Sequence, residues 1–102
     1  MKMFVIKDNG NNFRVRKEEE GCSIFGPKNF IEGNNSLFEV LQTIHELGLE
    51  NGILELKNRY SSGSDRIDDD LLELASDFLK QDILTNLCSQ IILHIKPKES
   101  AS

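Results

Sequence analysis

The chain has 102 residues, 38% of them hydrophobic and 28% charged, which are the proportions of one globular domain and leave no room for a second. Its formal net charge is −5, from 17 acidic against 12 basic side chains, and this argues against direct nucleic-acid binding, which needs clustered Lys and Arg. The apolar run between Lys2 and Lys7 is far shorter than a secretory core or a membrane span, so neither is expected. Cys22 and Cys88 stand far apart in a chain with no mark of secretion, so we expect two reduced thiols in a cytoplasmic protein.

Met3 to Ile6 is a β-rich run, and Phe13-Arg14-Val15-Arg16 alternates apolar and basic side chains. Between them lies Asp8-Asn9-Gly10-Asn11-Asn12, and Asn-Gly between two such runs predicts a hairpin, because both residues tolerate positive φ. Cys22-Ser23-Ile24-Phe25 reads as a third strand at an edge, stopped by Gly26-Pro27, and Phe30-Ile31 is a second short apolar pair. Ser36 and Glu39 form a capping box, with Leu37, Phe38, Val40, Leu41, Ile44 and Leu47 on one half of the helix that follows. Gly48 is placed to close that helix in the left-handed conformation.

Gly52 to Lys57 reads as a further strand, and 58–64 as an exposed loop. Asp68-Asp69-Asp70 opens a second helix with inner residues Leu71, Leu74, Ala75 and Phe78. Continuing its wheel would bury Asp82, so the helix breaks near Gln81, and Ile83, Leu84 and Leu87 belong to a further turn or short helix. Gln90 to Lys96, apolar on both faces, reads as a central strand. The expectation is an α+β domain over residues 1–96, with a loose tail over 97–102. A mixed, mainly antiparallel sheet opens with the hairpin and carries two main helices, in the order β-β-(β)-α-β-α-(α)-β. Its later part reads as a right-handed βαβ unit. Leu41, Ile44, Leu54, Leu74, Phe78 and Leu93 are the expected most buried side chains.

No cofactor or metal site emerges. The soft-ligand candidates Cys22, His45, Cys88 and His94 lack the local pairing of a zinc site. The seven glycines make no phosphate-binding loop, and each reads as marking an element boundary. Neither histidine sits in a nucleophile motif. The acidic stretch Asp65, Asp68, Asp69, Asp70, Glu73 and Asp77, opposed by Arg66 alone, is the most informative surface. Carboxylates there compensate a helix dipole in any case, but they also suit a docking face for a basic protein. Arg59 and Tyr60, in the segment leading into it, are residue types that anchor interfaces.

The reading is a non-catalytic protein-binding domain, such as an inhibitor or immunity protein that neutralises a basic nuclease toxin. The partner is then a protein, with no direct nucleic-acid contact and no membrane. The alternatives are a structural subunit, with a homodimer as its simplest form, and a small enzyme using His45 or His94. Arg14, Arg16 and Lys17 on the hairpin, cancelled by Glu18, Glu19 and Glu20, read as protection of a sheet edge.

Overall fold

The computed structural model describes residues 2–59 and 64–96, the first three of the second span by their backbone alone. Strands β1 (Met3–Asp8) and β2 (Asn11–Lys17) are joined by Asn9-Gly10, both at positive φ (54° and 81°). That pair gives the two-residue turn whose twist matches the flanking strands, with Asp8 opposite Asn11. Strands β3 (Cys22–Phe25) and β4 (Phe30–Gly33) continue the meander, so the sheet runs β1-β2-β3-β4 with every pairing antiparallel. The third strand is therefore interior, not an edge.

Among the described residues four helices follow: α1 (Asn35–Leu47), α2 (Leu49–Arg59), α3 (Ser64–Lys80) and α4 (Thr85–Ile95). The α+β class and the sheet led by a hairpin and carrying helices hold. The strands expected at 52–57 and 90–96 are helical instead, and with them the βαβ unit falls away. The sheet is built entirely from the first third of the chain.

Helical spacing explains both changes. In α2, Ile53 and Leu56 turn inward while Leu54 is 58% exposed. In α4, Cys88 and Ile91 are buried, as is Leu84 one turn before them, and Leu93 on the opposite side is 58% exposed. Leu54 and Leu93 thus leave the expected core, and Leu74 is only half-buried, whereas Leu41, Ile44 and Phe78 lie inside it. Gly52 is not an element boundary. It lies inside α2, where a Cβ would come 2.8 Å from the Ile44 Cα, so its bareness sets the close approach of α1 and α2.

The helix ends also differ from the expected ones. Asn34, not Ser36, caps α1: its side chain accepts from the Leu37 amide at 2.9 Å. Gly48 closes the helix at φ 89° and ψ 169°, a positive-φ conformation open to glycine but outside the left-handed helical basin expected, with its N–H donating to the Ile44 carbonyl. Helix α3 begins at Ser64, four residues before Asp68. It ends where expected, and the donors Ile83 N to Phe78 O and Asp82 N to Leu79 O form a Schellman closure with Asp82 at φ 61°.

Leu84 precedes α4 in the left-handed conformation and offers no side-chain cap. The cap comes from the first strand. Asp8, buried at the end of β1, accepts from the Asn86 amide at 3.0 Å and the Leu87 amide at 2.8 Å. Helix α1 packs on β2, β3 and β4, and α4 on β1, while α2 packs on α1 and α3 on α4. Phe13, Val15, Cys22 and Ile24 from the sheet meet the inner faces of the helices in one core.

Candidate functional site

Helix α3 carries two adjoining stripes. Ile67, Leu71, Ala75 and Phe78 recur at helical spacing and are buried. One residue over, Asp70, Glu73 and Asp77 recur at the same spacing and are exposed. The two stripes meet in an open groove of ≈ 270 Å³ between α3 and the β4–α1 junction. Leu37, Leu74 and Phe78 supply its apolar surface, Gly33 and Asn34 its far side, and the three carboxylates its border.

Not all of the acidic stretch is available for docking. Asp68 Oδ1 lies 3.4 Å from Lys57 Nζ, out of reach of solvent and held by charge without a hydrogen bond. Asp69 is exposed but lies outside the groove lining. No ion pair involves Asp70, Glu73 or Asp77 among the described residues. Of the loop expected at 58–64, residues 58, 59 and 64 are helical, and 60–63 with Tyr60 lie outside the described residues, as do the side chain of Asp65 and the tail expected at 97–102.

Arg59 ends α2 and reaches back to α1. Its guanidinium donates to Glu39 at 2.8 Å, to Glu55 at 3.1 Å and to Thr43 Oγ1 at 3.3 Å. The hydrogen bonds to Glu39 and Glu55 raise its pKa further above the usual arginine value. It ties α1 to α2, so the structure brings it together with those two carboxylates and not with the α3 groove. The apolar half of the groove is what the sequence reading missed. Its signal was the spacing: Asp70, Glu73 and Asp77 run directly beside Leu74 and Phe78.

The nucleophile and ligand candidates are placed apart. Both cysteines are free and buried. Burial pushes the Cys88 thiol up to about 12, with the nearby Asp8 charge adding to it, and burial likewise raises Cys22. His45 stacks on Phe4, with centroids 4.7 Å apart and planes at 16°. His94 is exposed near the end of α4. No group of three His, Cys, Asp or Glu side chains gathers as for a metal among the described residues. No helix there is long and apolar enough to cross a membrane. No protein-family model, characterised protein or solved structure matches this chain.

Proposed function

We propose that this chain is a non-catalytic, cytoplasmic protein-binding domain that docks a basic partner protein on the α3 groove. The observation that carries the reading is the exposed Asp70, Glu73 and Asp77 stripe, which makes no ion pair among the described residues, bordering a groove lined by Leu37, Leu74 and Phe78. Carboxylates steer a cationic partner and select it, while the half-buried Leu74 beside them adds apolar contact that charge alone does not. An inhibitor or immunity protein needs this combination. A nuclease site evolved for phosphate is occluded by a surface that presents carboxylates in its place.

The test is affinity capture from the source cell with identification of the partner, followed by stopped-flow association at low and high salt. Reversal of Glu73 and Asp77 to Lys should slow association at least tenfold and leave the fold intact. The wild-type rate should fall as salt rises, because exposed charges are screened beyond about 8 Å at physiological ionic strength. A partner whose association is independent of salt and of both substitutions would reject the groove.

A further inference from the structure

Among the described residues, no helix covers the second face of the sheet. Strand alternation places Phe4, Ile6, Phe13, Val15, Ile24 and Ile31 toward the helices, so the intervening residues turn to the other side. Register then defines two rows across that open face. One row is Val5, Arg14, Phe25, Phe30, and the other is Met3, Arg16, Ser23, Glu32. Three of the six large exposed hydrophobic residues among those described lie in these rows: Met3 at 53%, Val5 at 46% and Phe30 at 52%. The centre of the face is already ordered, with Ser23 buried beneath the Glu18 carboxylate. The Phe25 and Phe30 rings sit 5.0 Å apart, the Arg16 guanidinium lies 5.1 Å above Phe25, and Glu18 Oε2 accepts from Arg16 and from Ser23 at 2.9 and 2.8 Å.

We infer that this open face is a dimer interface and that its occupant is a second copy of the chain, packed sheet on sheet. The rows are self-complementary about a two-fold axis that runs along the strands between β2 and β3. Such an axis keeps each row in register and reverses it, laying β1 of one copy over β4 of the other and β2 over β3. Val5 then meets Phe30, and Arg14 meets the free side of Phe25, each contact occurring twice. Glu32 arrives beside Met3, one strand from Arg16, so the acid of one copy stands near the cation of the other. Four strands at about 4.8 Å spacing and about 16 Å of strand length give a flat footprint of about 300 Å². That is about 600 Å² in total, smaller than a standard specific interface, so the dimer expected is a weak one.

The same aromatic and Arg side chains would suit a single nucleic-acid strand. The carboxylates decide against it: Glu18 engages Arg16, Glu32 stands in the same row, and the chain carries −5 overall.

The test is sedimentation equilibrium of the full chain from about 1 µM to about 1 mM, a range that brackets the micromolar association expected of so small an interface. The mass should climb from 11.6 kDa toward twice that value. Phe30→Glu and, independently, Val5→Lys should each raise the dimer dissociation constant at least tenfold while keeping the wild-type circular dichroism. Leu54→Glu, at an equally exposed leucine in the helical layer, should leave dimerisation unchanged. A chain that stays at 11.6 kDa throughout overturns the proposal. So does a dimer untouched by both face substitutions, or one abolished by Leu54→Glu. A monomer that binds oligo-dT and loses it in Phe25→Ala would instead assign the face to single-stranded nucleic acid.

Discussion

Replacing Asp8 with Ala tests how the sheet and the last helix are joined. Asp8 is 4% exposed, and its two oxygens take the Asn86 and Leu87 amides, which have no other cap because Leu84 supplies none. A hydrogen bond to a charged group contributes about 1.5–3 kcal/mol, and loss of an ordinary helix cap costs about 0.5–2 kcal/mol. Relief from burying a carboxylate offsets part of the loss. The expected destabilisation is about 3 kcal/mol, or about 15 °C of melting temperature for a domain of this length. Asp8→Asn keeps one acceptor and gives up the charge, so about half that loss is expected. Urea denaturation with an unchanged m-value measures both, and amide exchange at Asn86 and Leu87 localises the effect. An Ala variant within about 0.5 kcal/mol of wild type would refute the reasoning, since the α4 amides would then be satisfied without Asp8.

Asn34→Ala should cost about 1 kcal/mol by freeing the Leu37 amide, while Ser36→Ala should cost close to nothing; equal effects in urea melts would move the start of α1. Cys88 titrates from an ordinary 9.0 in the unfolded chain to about 12 in the fold. The unfolded chain therefore loses this proton first as pH rises, so the contribution is intact below about 9 and lost progressively toward 12. Denaturation midpoints compared with those of Cys88→Ala should diverge over that window. A disulfide reagent near pH 8 should label Cys88 no faster than the domain unfolds.

The opening hairpin was legible because Asn9-Gly10 admits one turn geometry between two alternating runs. Helix α1 was legible from its apolar arc, but its start was not. Asn34, Asn35 and Ser36 all carry capping side chains, and a matching Glu39 favoured the wrong one. The runs at Ile53–Leu56 and Ile91–Ile95 are too short for local period to separate strand from helix. Gly52 reads as punctuation before the first, although it lies inside α2 against Ile44. The wider spacing of Leu84, Cys88, Ile91 and Ile95 held the answer for the second. The charged border of the groove could be read from α3 alone. Its apolar surface could not, because Leu37 reaches it only through the docking of α3 at the end of β4. The open-face rows likewise depend on a strand order that no single strand reveals.

The Asp8 cap also bears on the order in which the molecule can assemble. The meander and the two helical hairpins join neighbours in sequence, a topology of low contact order that closes quickly. The side-chain links from Asp8 to Asn86 and Leu87, and from Asn29 to the Gln81 carbonyl, instead span most of the chain. During synthesis the sheet and α1 can pair as they emerge, with the Asp8 carboxylate still solvated at the end of β1. The carboxylate gives up its water only when residues 86 and 87 arrive, which makes β1 a clasp that waits for α4.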